Sequence, residues 1–138
     1  MRWVYDDGGR SQYFKGTTGD CVTRAIAIAT GIDYRKVYDL VNSYSKNDES
    51  DSHARTGVAP DLVYKIMADL GWKWVPTMYF GKGCKVHLKE EELPADQTII
   101  ARLSKHLTCI VQGKIHDTYD PSRNGKRCVY GYFIKEAT

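Results

Sequence analysis

Long apolar runs are absent from this sequence of 138 residues, and so is a leader in which charged residues precede an apolar stretch. No run approaches the roughly 18 residues that a membrane-spanning helix needs. The first residues, Met1 to Asp7, lack the pattern of a secretory signal. We therefore expect no membrane anchor and a cytoplasmic protein. The length and the 42% hydrophobic content predict one globular domain over residues 1–138.

Blocks of positive charge are also absent. The net charge of +3 comes from Lys and Arg side chains dispersed along the chain, so no nucleic-acid partner is expected. The four cysteines include no Cys-x-x-Cys pair, which argues against a structural zinc site. In a reducing compartment all four are expected to be free thiols. The sequence predicts no metal ion and no cofactor.

Apolar spacing predicts helices in the first half of the chain and strands in the second half. The helices are expected to begin at Asp20, at Asp33 and at Ala59-Pro60, where a capping residue or a proline precedes apolar residues at helical spacing. Branched and aromatic residues predict strands over 72–75, 97–103, 106–111, 115–119 and 128–134. This order indicates an α+β fold, in which N-terminal helices pack on a C-terminal antiparallel β-sheet.

Cys21 stands where a glycine-bearing turn, residues 16–19, leads into the first helix. The residues after it are apolar almost all round, which is typical of a buried helix. A thiol at a helix N-terminus lies beside unpaired N–H groups and the positive end of the helix dipole, and both lower its pKa. Cys21 is therefore the candidate nucleophile.

A thiol nucleophile needs a base that holds it as the thiolate, and the base needs a third residue that orients its ring. His106, at the start of a predicted strand, is the candidate base. Asp117 and Asp120 are the candidates for the orienting acid, because both lie on or just after the next strand. The site is then expected in the cleft between the helices and the sheet.

The choice of acid depends on the register of the hairpin that follows His106. A loop of three residues, 112–114, places Asp120 directly opposite His106. A two-residue turn, 112–113, instead leaves Asp117 on the His106 face, one pair away. We prefer the first register, because it puts a carboxylate directly across from the imidazole. Asp120 is therefore the predicted acid and Asp117 the alternative.

Acyl transfer also needs hydrogen-bond donors for the oxyanion. The backbone N–H of Cys21, at the helix start, is one natural donor. A side-chain donor is expected just upstream, where Gln12, Thr17 and Thr18 are the polar candidates.

A cysteine at a buried helix start, followed by a histidine and an aspartate on late strands, resembles the papain-like cysteine peptidases. The closest likeness is to the bacteriocin-processing type and to small papain-like proteins encoded by bacteriophages. The residues that carry the resemblance are Gly19-Asp20-Cys21, His106-Leu107-Thr108-Cys109-Ile110-Val111 and Tyr119-Asp120-Pro121. The resemblance implies a papain-like fold over most of the chain and a Cys21, His106, Asp120 triad. It also implies hydrolysis of a peptide or isopeptide bond in a protein or peptide substrate, in the host cytoplasm for a phage-encoded protein.

One position departs from the papain-like pattern. Papain-like peptidases carry a glutamine for the oxyanion hole about six residues before the cysteine, and that position is Lys15. The departure favours an alternative hypothesis, in which the chain is a catalytically weak or inactive papain-like scaffold that binds a host or partner protein. Acyl transfer by the same residues is a third hypothesis, which differs from hydrolysis only in the acceptor.

Overall fold

Three helices and six strands form the described part of the chain, residues 1–136 of a computed structural model. The helices are α1 (Cys21–Thr30), α2 (Tyr34–Asn47) and α3 (Pro60–Asp69). The strands are β1 (Arg2–Tyr5), β2 (Trp72–Pro76), β3 (Thr98–Leu103), β4 (His106–Val111), β5 (Lys114–Asp117) and β6 (Gly131–Lys135). The fold is α+β, as the order of the predicted elements indicated. Within residues 1–136, no helix is long and apolar enough to span a bilayer.

All six strands belong to one sheet, in the order β1-β5-β4-β3-β6-β2. Four of the strand pairs are antiparallel, but β1 runs parallel to β5. The sheet is therefore mixed, which corrects the expectation of a purely antiparallel C-terminal sheet. The reason is that β1, from the first residues of the chain, pairs with β5 and forms an edge strand of the sheet.

Two of the predicted helix starts show how polar residues serve different purposes. Asp33 caps α2 through a hydrogen bond that its carboxylate accepts from the Arg35 N–H, at 3.2 Å. Asp20 occupies the same position before α1, but its side chain accepts no hydrogen bond from a helix N–H. The Asp20 carboxylate is buried and binds Arg24 and the Tyr34 hydroxyl instead.

Apolar side chains cover both faces of the sheet. Ile100 of β3 packs with the helices, whereas its neighbours Ile99 and Ala101 pack with Leu88 and Leu93 from the segment before β3. Successive strand residues point to opposite faces, so a strand that is buried on both faces reads as a continuous apolar run. This explains why β3 and β4 carry few polar residues.

Helix α1 packs on the sheet and positions its first residue. Its residues from Val22 to Ala27 are buried, and it contacts β3, β4 and β5. Because β4 and β5 are antiparallel, the start of β4 lies beside the end of β5. The N-terminus of α1 lies near this end of the sheet, since Cys21 and His106 line one cavity.

The turn between β4 and β5 contains two residues, Gln112 and Gly113, with φ angles of 47° and 77°. Val111 pairs with Lys114, so the preferred loop of three residues is wrong and the alternative register is the one observed. Two consecutive residues in the left-handed backbone conformation give a turn whose twist matches that of the two paired strands. The sequence signal was weak because glutamine replaces the asparagine or aspartate that usually marks such a turn.

Cys84 and Cys128 are joined by a disulfide, with their Cα atoms 5.9 Å apart. The expectation of four free thiols is therefore wrong for this pair, and the free cysteines are Cys21 and Cys109. The two bonded cysteines are 44 residues apart in the sequence. They meet because His87 forms a β-bridge with Cys128. This contact joins distant parts of the chain, so no pattern of neighbouring residues predicts it.

Candidate active site

Cys21, His106 and Asp117 lie together at one end of the sheet. Cys21 begins α1, His106 begins β4 and Asp117 ends β5. The His106 Nε2 atom lies 2.7 Å from Asp117 Oδ2, and the Cys21 thiol is near enough to the imidazole for each group to shift the pKa of the other. Because Nε2 is engaged by the carboxylate, Nδ1 is the ring nitrogen left for the sulfur. The arrangement is a thiol, an imidazole and a carboxylate in series.

Asp120, the predicted orienting acid, lies elsewhere. Its side chain is exposed, and Oδ1 accepts a hydrogen bond from the backbone N–H of Ser122 at 3.0 Å. The two-residue turn is the cause, because it pairs Thr108 with the position of Asp117 and carries Asp120 beyond the end of β5. The structure thus places the alternative acid, Asp117, behind the imidazole.

The Asp117 carboxylate is held by several donors besides His106. Oδ2 also accepts from the Thr108 hydroxyl at 2.7 Å, and Oδ1 accepts from the Thr118 N–H at 2.7 Å and from Arg24 Nη2 at 3.3 Å. Burial raises the pKa of this carboxyl, but the hydrogen bonds and the His106 charge outweigh burial, so the pKa lies below its ordinary value. Asp117 is therefore a fixed anion.

The thiol and the imidazole favour each other's charged forms. Burial raises the pKa of Cys21, but the hydrogen bond and the charge of His106 outweigh it, and the pKa falls below the ordinary thiol value. Burial lowers the pKa of His106, but the hydrogen bonds to Asp117 and Cys21 outweigh it and raise that pKa to about 8. Together these shifts favour a thiolate–imidazolium pair at neutral pH.

Arg24 contacts the candidate acid Asp117 and is a residue of the candidate site that we did not predict from the sequence. Its guanidinium is buried between Asp20, which lies one turn back just before α1, and Asp117 at the end of β5. Asp20 also accepts a hydrogen bond from the Tyr34 hydroxyl at 2.6 Å, and Arg10 lies 3.8 Å from it. A signal was present, because an arginine on a helix that is otherwise apolar and buried must have a buried partner.

A cavity of about 780 Å³ opens at the thiol–imidazole pair. Thr17 and Thr18 line it, whereas Gln12 does not, so the structure does not bring all the oxyanion candidates together. The Thr18 hydroxyl donates to the Arg55 carbonyl at 3.1 Å, which leaves Thr17 as the candidate side-chain donor. The Cys21 N–H is the first of α1 and has no acceptor within the helix.

Cys109 provides a contrast with Cys21 within the same protein. It is fully buried in the core, and burial together with the nearby carboxylates of Asp6 and Asp117 raises its pKa. It therefore stays a neutral thiol under conditions that ionise Cys21.

Comparison of the chain with protein-family models, with curated proteins and with solved structures gives no match. The geometry of the cavity and its residues therefore carries the functional argument.

Proposed function

We propose that this protein is a cysteine peptidase or isopeptidase with Cys21 as nucleophile, His106 as acid and base and Asp117 as orienting acid. The observation that carries the proposal is that Cys21 and His106 line one cavity while Asp117 hydrogen-bonds the far side of the His106 ring. Cysteine-dependent acyl transfer requires a thiol whose pKa is lowered and an imidazole beside it.

The reaction follows from the protonation states. The Cys21 thiolate attacks the carbonyl carbon, and the N–H of Cys21, with Thr17, donates hydrogen bonds to the oxyanion. The His106 imidazolium then gives its proton to the leaving amine as the C–N bond breaks, which leaves a thioester on Cys21. Water attacks the thioester while the neutral His106 takes its proton, and the thiolate departs. Asp117 stays ionised throughout and stabilises the imidazolium.

A papain-like fold is part of the proposal. It is supported by a buried helix that begins with the cysteine and packs on a sheet whose strands carry the histidine and the acid. The edge strand β1, which runs parallel to β5, is a feature that the resemblance did not lead us to expect.

Alkylation by iodoacetamide at neutral pH tests the nucleophile without any knowledge of the substrate. We expect Cys21 to be modified at least tenfold faster than an ordinary exposed thiol, since the thiolate is the reactive form. Cys109 serves as the internal control and should remain unmodified. His106→Ala should slow the Cys21 reaction to the rate of an ordinary thiol. Equal rates in wild type and His106→Ala would contradict the proposed pair.

Hydrolysis is tested with a random-sequence peptide library whose new termini are identified by mass spectrometry. Wild type should produce cuts that Cys21→Ser does not produce. Cys109→Ser is the matched control, because it removes a thiol outside the cavity.

The second candidate function is a catalytically weak scaffold that binds a partner protein. It is favoured by the oxyanion side of the cavity, where Gln12 lies outside and the Thr18 hydroxyl is already bound to Arg55. A fast-reacting Cys21 that yields no new peptide termini would support this candidate over hydrolysis.

A cytoplasmic location is also a proposal, and the disulfide bears on it. Bonds such as Cys84–Cys128 persist in oxidising surroundings and are usually reduced in the cytosol. A count of free thiols in protein quenched with acid in whole cells, before the compartments mix, tests the location. Four free thiols are expected for a cytoplasmic protein, and two for a protein from an oxidising compartment.

A further inference from the structure

A second cavity adjoins the one at Cys21. It has a volume of about 470 Å³, and its walls include Trp74 of β2 and the loop residues Met78, Tyr79 and Phe80. Tyr64 and Arg102 line both cavities. The two cavities therefore lie side by side and meet at Tyr64 and Arg102, and we call the pair of cavities the groove.

Negative charge is missing from the whole groove. Within residues 1–136, no Asp or Glu lines either cavity. Arg102 and Lys105 bring positive charge to the walls, while the charge of Arg24 is balanced by Asp20 and Asp117. The groove therefore favours an anionic occupant over a cationic one.

Arg102 is the residue best placed to recognise such an occupant. It is half-buried on β3, donates a hydrogen bond to the Tyr64 hydroxyl and stacks on the Tyr64 ring at 5.6 Å. In the described part of the chain, it pairs with no carboxylate. A guanidinium that is half removed from water without a counter-ion is stabilised when a carboxylate arrives.

The aromatic loop favours an apolar side chain at the far end of the groove. Tyr79 and Phe80 are exposed, and the Phe80 side chain is fully open to water. Met78 and Trp74 form an apolar wall beside them. Burial of an apolar side chain against this wall removes both surfaces from water.

We propose that the groove binds one extended, acidic polypeptide segment, with a substrate carboxylate on Arg102 and an apolar side chain against the loop of Met78 to Phe80. The inference rests on the proposed function, because it assigns a substrate class to the same cysteine. It makes Arg102 a specificity-determining residue that takes no part in the chemical step.

The test uses the Cys21→Ser protein, which binds without turnover. The immobilised protein is incubated with a random-sequence peptide library, and the retained peptides are sequenced. We expect Asp and Glu to be enriched about fivefold over the input, the size of effect that one partly exposed ion pair gives. An aromatic or aliphatic residue should accompany the acid within about five residues, roughly the 17 Å that such an extended segment spans.

Variants built on Cys21→Ser locate the effect. Arg102→Met keeps the apolar stem of the side chain and should abolish the acidic enrichment, whereas Arg102→Lys keeps the charge and should retain most of it. Arg2→Met is the matched control, because Arg2 is exposed on β1 and lines neither cavity. Phe80→Ser should reduce the apolar enrichment and leave the acidic enrichment unchanged. Urea unfolding of each variant confirms that it folds.

Three results would overturn the inference. The first is a set of retained peptides without acidic enrichment, and the second is the absence of retained peptides. The third is acidic enrichment that survives Arg102→Met. Failure of the proposed function looks different, since wild type would then produce no new peptide termini from the same library while the acidic peptides were still retained.

Discussion

His106 lies between two groups that favour its protonated form. The Asp117 carboxylate engages one ring nitrogen at 2.7 Å, and the nearby Cys21 thiol also raises the pKa of the ring. Tyr119 packs beside the ring, with the ring centroids 5.1 Å apart, and restricts its rotation. The imidazole is therefore charged and oriented before any substrate arrives, which reduces the reorganisation needed during the reaction.

The pH dependence of peptide hydrolysis follows from these two pKa shifts. Activity should rise with pH through the depressed pKa of Cys21, because the thiolate forms there. It should fall as pH passes through about 8, because His106 then loses the proton that it donates to the leaving amine. The measurement is kcat/KM against pH. A descending limb that stays in place in Asp117→Asn would contradict the assignment, since loss of the carboxylate should move that limb to lower pH.

Substitution of one carboxylate at a time separates the two acids. Asp117→Asn keeps the shape of the side chain but removes the charge that holds His106, so kcat/KM should fall on the order of 100-fold or more. Asp120→Asn is the matched control, because Asp120 is exposed and its carboxylate accepts from the Ser122 N–H, away from His106; its kcat/KM should stay within about twofold. A larger loss of kcat/KM in Asp120→Asn than in Asp117→Asn would contradict the observed register and support the three-residue loop.

At the scale of the element, the β4–β5 hairpin decides which aspartate can reach the histidine. A shift of one residue in its register turns each side chain of β5 to the other face. The turn conformation, the pairing of β5 with β1 and the burial of Ile115 all agree on the observed register. The chemistry at Asp117 therefore depends on a turn at the opposite end of the strand.

Two substitutions in this turn should have opposite effects on stability. Gly113 has a φ of 77°, and an added Cβ meets no atom closer than 3.5 Å, so Gly113→Ala should lower the free energy of unfolding by about 1 kcal/mol through backbone strain alone. Gln112→Asn, at the first turn residue, should raise the free energy of unfolding by a few tenths of a kcal/mol, since asparagine favours the left-handed conformation that Gln112 adopts. Urea unfolding measures both. Equal stability of the two variants would contradict the turn geometry.

At this scale, the sequence predicted the helices better than it predicted the pairing of the strands. The three helices begin where their caps and apolar spacing indicated, because those signals lie within one or two turns of each other. The strand β1 and the register of β5 depend on pairing between distant segments. No pattern within a short window records such pairing.

At the scale of the whole molecule, the site is assembled from both ends of the chain. Arg24 connects α1 to the last residue of β5, and the Trp3 indole donates to the Asp117 carbonyl at 3.0 Å from β1. Burial of a carboxylate with this many donors requires that all these elements pack at once. The candidate site is therefore expected to form only as the whole domain folds.

The Cys84–Cys128 bond should stabilise the molecule without affecting the nucleophile. A loop closed over a sequence separation of 44 residues corresponds to about 4 kcal/mol in the chain-entropy model, so reduction should lower the free energy of unfolding by roughly 2–4 kcal/mol. Urea unfolding with and without a dithiol reductant measures this. The Cys84→Ser/Cys128→Ser double variant is the control and should be insensitive to the reductant. The alkylation rate of Cys21 should be the same in both proteins.

The sequence by itself predicted the helices, most of the strands and the candidate nucleophile and base. It could do so because capping, periodicity and the electrostatics of a helix start act over a few neighbouring residues. Only the tertiary structure decided that Asp117 rather than Asp120 orients His106, that β1 completes a mixed sheet, that Cys84 bonds Cys128 and that Arg24 pairs with Asp117. Each of these depends on strand register or on the burial of distant groups against one another, and the free energy of such contacts exists only once the chain has packed.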